Sequence, residues 1–205
     1  MKINHPISIL YLLLIAFTFL QCKKVNKQEC SDEIKVETIS PNEKGLIKYK
    51  ANDTIRFLNT STFDTITYIE NGFVNDWGYI TVGPTDDVPC AYSYKLERNS
   101  LLFQELDAPK GLNISIQYKN FKERPLGKIF NIDFEGVIYS CVLDRILEPS
   151  MKDTLTMRGK FYSNAARLLT NYNATPPSGL VSIYSKDYGI LRIELPNKIW
   201  LERLF

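Results

Sequence analysis

The chain has 205 residues, 44% of them hydrophobic, and sets 25 basic against 23 acidic side chains for a formal net charge of +2. That length suits one domain with a sizeable core, and the near-neutral balance excludes the global basic field that marks nucleic-acid binders. His5 is the only histidine and lies ahead of the expected folded part, which therefore has no imidazole for nucleophilic catalysis or for metal ligation.

Met1-Lys2 opens a weakly basic segment, Ile7 to Leu20 is uncharged and mostly apolar, and Gln21-Cys22-Lys23-Lys24 closes it. An apolar run of about 14 residues is shorter than the roughly 20 needed to span a bilayer and reads as a secretory signal. Cys22, with Leu20 two positions before it, resembles the cysteine of a loosened bacterial lipobox. The resemblance implies removal of residues 1–21 and a lipid, palmitate included, on Cys22 as the first mature residue. Residues 22–40 are rich in Lys, Gln, Glu, Asp and Ser and read as a polar tether, interrupted by a short strand signal at Ile34 to Ile39. Lys23, Lys24 and Lys27 lie where anionic headgroups would meet them.

Residues 41–205 form the expected domain, in which short alternating runs separated by turn signals predict antiparallel β structure. Leu46 to Lys50 and Thr54 to Leu58 flank Asn52-Asp53, and Thr65 to Ile69 leads to Asn71-Gly72, a two-residue hairpin signal, and then Phe73-Val74. Tyr79 to Val82 precedes the Gly83 to Asp87 loop, and Arg98-Asn99 between Tyr92 to Leu96 and Leu101 to Leu106 reads as another hairpin. Leu112 to Tyr118, Ile129 to Phe134 and Val137 to Leu147 follow, with Glu135-Gly136 as the turn between the last two. Asn164 to Leu169 alone has the propensity and N-cap of a helix. Leu180 to Tyr184, Ile190 to Leu195 and Ile199 to Phe205 predict a closing meander with Ile183, Leu191, Ile193 and Trp200 facing inward. The fold class is thus mostly β, a single antiparallel domain built as a folded-over sheet or an open or half barrel, with at most one short helix.

The run Tyr184 to Ile193, followed by Trp200-Leu201, is similar to the C-terminal hairpin of uncharacterised envelope lipoproteins from Bacteroidota, and the signal ending in Leu20-Gln21-Cys22-Lys23-Lys24 resembles theirs. The resemblance covers the two ends of the chain and implies an address, the bacterial cell envelope, and a β-rich fold, with no reaction attached. Asp53-Thr54-Ile55, Asp64-Thr65-Ile66 and Asp153-Thr154-Leu155 also resemble the acceptor that such bacteria O-glycosylate. Physical chemistry offers a second reading of the same triplets, since Asp suits turns and Thr-Ile suits strand starts. Both place Thr54, Thr65 and Thr154 at exposed strand starts. Asn52, Asn59, Asn113 and Asn173 open sequons that a bacterial source leaves unused.

With Cys22 acylated, Cys30, Cys90 and Cys141 are too few and too scattered for a zinc cluster. In an oxidising envelope Cys30 and Cys90, both in polar segments, are the favoured disulfide; three reduced thiols are the other reading. Asp86 and Asp87 lack the spaced ligands of a calcium loop and read as a solvated turn. Carboxylates such as Glu105, Glu135 and Asp144 could in principle form an acid and nucleophile pair, but no spacing brings any two together. Trp77 and Tyr79 are either a core plug, the favoured reading, or a stacking surface, and Tyr162, Tyr172, Tyr184 and Tyr188 form no spaced set.

The expected function is that of a non-catalytic, membrane-anchored envelope lipoprotein that binds a protein, a glycan or another envelope component, with no cofactor, metal or nucleic acid. The alternatives are a half-barrel carrier of apolar ligands or lipoproteins and, less favoured, a carboxylate-dependent hydrolase.

Overall fold

The computed structural model describes residues 34–83, 90–119, 126–147, 153–171 and 178–205. The signal segment, Cys22, Cys30, Asp86, Asp87, Tyr172 and Asn173 lie outside these residues. Strands make up 68% of the structure and belong to one sheet of 12 strands, and among the described residues no helix reaches seven residues. In chain order the elements are β1 (Ile34–Glu37), α1 (Pro41–Lys44), β2 (Thr54–Asn59), β3 (Thr65–Val82), β4 (Tyr92–Glu105), β5 (Gly111–Lys119), β6 (Gly127–Phe134) and β7 (Val137–Val142). They continue with α2 (Leu143–Leu147), β8 (Asp153–Met157), β9 (Lys160–Asn171), β10 (Ser178–Ser185), β11 (Gly189–Glu194) and β12 (Trp200–Leu204).

The sheet folds over and closes on itself. Its order, β4-β3-β2-β12-β11-β10-β9-β7-β6-β5, returns to β4 through the β4–β5 pairing, so ten strands form a ring of antiparallel neighbours. The seam between β7 and β9 is the weakest joint, a single bridge from Ser140 to Leu169. Closure removes the unpaired edges that a sheet this wide would otherwise expose. Two strands stand outside the ring: β8 pairs with β9, and β1 adds in parallel to the outer end of β4, from Ile34 opposite Ser93 to Glu37 opposite Leu96. Residues 34–37 of the expected tether are therefore part of the sheet.

Alternation along each strand sends one set of side chains into the ring. Ile55 and Phe57 of β2, Tyr68 of β3, Leu101 and Phe103 of β4, and Ile114 and Ile116 of β5 meet Phe130, Ile132, Tyr139, Tyr184 and Ile193 in one continuous core. Each such side chain stabilises the fold by roughly 1.5–3 kcal/mol on burial. Edge-on ring contacts, such as Tyr68 with Phe134 at 5.6 Å, add shape specificity.

Residues 39–50 strap into this core. α1 is started by a capping box, in which Glu43 N–H donates to Ser40 Oγ at 3.3 Å and Ser40 N–H to Glu43 Oε2 at 2.7 Å. Beyond it Leu46 and Tyr49 are buried with the ring's own residues. The Tyr184 hydroxyl donates to the Leu46 carbonyl, and Tyr49 Oη accepts the Ile190 N–H at 2.7 Å. Burial pushes the Tyr49 phenol up to about 12, so both tyrosines are neutral hydrogen-bonding groups.

Several local expectations are corrected. Asn71-Gly72 is a bulge inside β3: Glu70 pairs with Phe103 and Gly72 with Leu102, leaving Asn71 over. Arg98-Asn99 is mid-strand, because β4 has a partner in β3 along its whole length from Tyr92 to Glu105. Asn164 to Leu169 is strand β9, paired with β10 from Ala165 opposite Ser185 to Leu169 opposite Val181. Asn164 takes a left-handed conformation there (φ 59°) in place of an N-cap, since helix propensity of tenths of a kcal/mol yields to strand pairing and burial. The strand expected to run to Leu147 stops at Val142 and turns into α2.

The closing meander is as expected in its pairing, with differences in which residues face inward. Ile193 opposite Leu201 faces the core, and Leu201, fully buried, takes the place expected of Trp200. Trp200 is half-buried on the outer face, where the Arg192 guanidinium carbon lies 4.2 Å from its ring centroid. Ile183 alternates away from the core-facing Tyr184, and the register shift there leaves Leu191 over between Ile190 and Arg192; both join a satellite cluster with Met157, Tyr162 and Ala165.

Candidate functional site

The outer face of β4–β7 carries the polar half of the same alternation. In β5, Leu112, Ile114 and Ile116 point in, so Asn113, Ser115 and Gln117 point out. Strand register then lines up Ser100, Ser115, Asn131 and Ser140 directly across four strands, with Leu102, Asn113, Asp133 and Ile138 as the neighbouring row. The four residues of the first row are each at most 7% exposed although they face outward, because short side chains sink between longer neighbours.

These rows floor a groove. A cavity of about 330 Å³ runs over Ser100, Ser115 and Asn131 to Arg98 and Gln117. It shares Leu102, Asn113 and Asp133 with a larger cavity of about 550 Å³ that extends to Lys110 and Glu135. In the other direction it shares Arg98 and Gln117 with a third, of about 210 Å³, bordered by Tyr79 and Tyr118 where β4 leaves β5 to pair with β1.

The groove's polar groups are only partly satisfied within the chain. Ser140 Oγ donates to Asn131 Oδ1 at 2.6 Å, and Asp133 Oδ1 accepts the Gly136 N–H at 3.0 Å. Asn113 Oδ1 is buried without a hydrogen-bond partner, an arrangement that costs free energy unless something donates to it. At one end Arg98 is clamped by Asp76, its cross-strand neighbour, with Nε donating to Oδ1 at 2.8 Å. That guanidinium holds the Asp76 carboxyl below the usual range. At the other end Lys110 pairs with Glu135 at 3.3 Å.

Two of the three candidate carboxylates come together. The Tyr68 hydroxyl donates to Glu135 Oε1 at 3.1 Å, and burial, reinforced by the charges of Glu135 and Glu105, raises the phenol far above its ordinary value. Glu135 is thus engaged by both Tyr68 and Lys110, while Glu105 Oε2 is buried without a partner. Asp144 is exposed in the first turn of α2. Among the described residues no three His, Cys, Asp or Glu side chains are grouped to hold a metal ion.

The core reading of Trp77 is corrected. Trp77 and Tyr79 are 41% and 68% exposed, and Lys95 Nζ lies 5.0 Å from the Trp77 ring centroid. They share β3's inward-facing register, but β2 stops pairing at Ile69 and leaves no opposing wall to cover them. Thr54, Thr65 and Thr154 are all exposed, each at or one residue into the start of its strand. Cys90 is buried and disulfide-bonded to a partner outside the described residues, and Cys141 is a buried thiol within β7. Tyr184 is a core residue, whereas Tyr162 and Tyr188 touch at 5.3 Å between ring centroids.

The groove rows went unread in the sequence. Their signal was present as the polar positions of Leu112-Asn113-Ile114-Ser115-Ile116-Gln117, but which rows align depends on register between strands, which one strand's alternation does not contain. No family model, no curated protein and no solved structure matches the chain.

Proposed function

We propose that the chain is a non-catalytic binding module, held at a bacterial envelope membrane by a lipid on Cys22, that takes an extended polar ligand of glycan type in the groove across β4–β7. The observation that carries this reading is the aligned row Ser100, Ser115, Asn131 and Ser140 beside the unpartnered Asn113 Oδ1. Hydroxyl, carboxamide and carboxylate groups on a concave floor match the mixed donors and acceptors of a polyhydroxylated chain. A peptide fits less well. The two central floor strands, β5 and β6, are hydrogen-bonded on both sides across the groove, so they leave no main-chain groups for strand addition. The continuous side-chain core inside the ring favours this module over a carrier of apolar ligands. Engagement of Glu135 by Lys110 and Tyr68 favours a structural over a hydrolytic role for that carboxylate.

The test is calorimetric titration of the soluble domain with glycans released from its host's envelope, comparing wild type with Ser115→Trp, which fills the groove floor. At least tenfold weaker binding by the variant is expected. Equal binding by both proteins, or binding only of protease-sensitive material, rejects the reading.

A further inference from the structure

A second site lies away from the groove, where β9, the β10–β11 turn and the residue after β12 converge. Tyr162, Tyr188 and Phe205 place their ring centroids 5.3, 5.6 and 5.8 Å from one another. Tyr162 is stacked within 24° of Phe205, and Tyr188 stands nearly perpendicular to both. Tyr162 is 2% exposed and lies deepest, while Tyr188 and Phe205 are 39% and 55% exposed and open to solvent. Lys160 Nζ sits over this cup, 5.4, 5.1 and 5.2 Å from the three centroids.

The cup and its occupant are chemically mismatched. A primary ammonium is compact, strongly hydrated and carries three N–H donors, whereas ring faces attract its charge and replace few of its hydrogen bonds to water. No carboxylate among the described residues pairs with Lys160 to hold it there. Its backbone, by contrast, is fixed by the tight β8–β9 turn, with Arg158 and Gly159 at φ 53° and 75° and Met157 paired with Lys160. The side chain can leave while the hairpin stays. The other cation nearby, Arg203, cannot leave as readily: it donates to the Tyr188 carbonyl and, at 3.2 Å, to Tyr49 Oη.

We propose that the Tyr162–Tyr188–Phe205 cup is a binding site for a quaternary ammonium group next to an anion, a choline-phosphate or betaine type of zwitterion, with Lys160 as its displaceable internal occupant. A quaternary ammonium spreads its charge over methyl groups and keeps no N–H donors, so rings satisfy it fully. Once displaced, the Lys160 ammonium lies beside the cup, placed to pair with the phosphate or carboxylate of the same ligand.

The dual role of Lys160 gives the test opposite signs for two probes. Backbone amide NMR titrations, following Gly159 and Gly189, would use tetramethylammonium, phosphocholine, glycine betaine and the uncharged isostere 3,3-dimethyl-1-butanol. In wild type, phosphocholine or betaine is expected to bind more tightly than tetramethylammonium, the stronger of the two identifying the anion. Lys160→Ala frees the cup and should tighten tetramethylammonium about tenfold, as removal of an internal competitor does when the open form is about a tenth of the population. The same substitution should erase the advantage of the zwitterions. Adding Tyr188→Leu to Lys160→Ala should abolish binding, with an otherwise unchanged amide spectrum showing that the fold is kept. The proposal fails if Lys160→Ala binds tetramethylammonium no better than wild type does, or no better than it binds the uncharged isostere. It fails equally if phosphocholine and betaine show no advantage in wild type.

Discussion

Glu97 Oε2 accepts the backbone N–H of Ile39 at 2.8 Å, joining residues 58 apart in sequence and tying the α1 strap to the barrel wall. The other carboxylate oxygen takes Lys44 Nζ at 2.5 Å, and Glu97 is only 4% exposed. Burial opposes its charge, but Lys44, the Ile39 N–H and Asn75 together hold its pKa below the ordinary 4.5. A carboxylate depressed in the folded state contributes stability that is fully present above its unfolded pKa and is lost as pH falls through the folded one.

Glu97→Ala is accordingly expected to destabilise the fold by about 2 kcal/mol at pH 7, because the Ile39 N–H loses its acceptor in a buried setting. The loss should shrink as pH falls below the ordinary value of 4.5 and through the lower folded one. Urea unfolding of both proteins at pH 7 and pH 3.5 measures this. A penalty that is independent of pH would show that the carboxylate's charge is not what matters.

Gly189→Ala should be among the most damaging single substitutions. Gly189 has φ +78°, and a Cβ there would lie 2.3 Å from Tyr49 Oη, the atom that accepts the Ile190 N–H. Backbone strain and overpacking act together, for a loss of about 3 kcal/mol or more. Gly136→Ala serves as the control: it has a similar φ of +83° with nothing within 4 Å, so only strain remains and the thermal midpoint should fall less.

Two groove asparagines are expected to separate function from stability. Asn131→Ala strands Ser140 Oγ, its donor at 2.6 Å, and should cost about 1–2 kcal/mol of stability. Asn113→Ala removes an acceptor that already lacks a partner, so stability should be unchanged or slightly higher. Both should weaken glycan binding in the same titration used for Ser115→Trp. A destabilised Asn113→Ala with unaltered binding would make Asn113 a structural residue.

Membrane retention should depend on Cys22. Firm anchoring takes more than one acyl chain, as the multiply acylated lipoprotein cysteine supplies, so Cys22→Ser is expected to lack the lipid and to keep its leader unprocessed in a bacterial host. Normal processing and retention of the variant would remove the anchor from the proposal. Intact-mass analysis of protein from the native host tests whether Thr54, Thr65 or Thr154 carries a glycan, and a mass unmodified apart from the lipid would show that none does.

Broad glycosidase, esterase and peptidase screens are expected to give no turnover. Reproducible turnover abolished by Glu105→Gln or Glu135→Gln would identify the pair around Tyr68 as catalytic and overturn the binding-module reading.

What the amino-acid sequence determined by itself is the class of the fold, the β6–β7 hairpin and the closing meander. Alternation through Leu112 to Tyr118 and Ile129 to Phe134, and turns such as Glu135-Gly136, are local properties that any partner strand must respect. Tertiary structure decided whatever depends on which strand lies opposite. The turn signal Asn71-Gly72 became a bulge because β4 offers an unbroken partner as far as Val82, and Asn164 to Leu169 became strand because β10 pairs with it. Trp77 lost its cover where β2 ends, and Leu201 took the inward position that alternation alone could not distinguish from that of Trp200. The groove and the aromatic cup belong to the same category. Ser100, Ser115, Asn131 and Ser140 are spread over three turns of chain, and Tyr162, Tyr188 and Phe205 over three elements. A one-residue slip of register would send each of the groove's side chains to the opposite face, so their alignment is set by the buried core on the other side of the same strands.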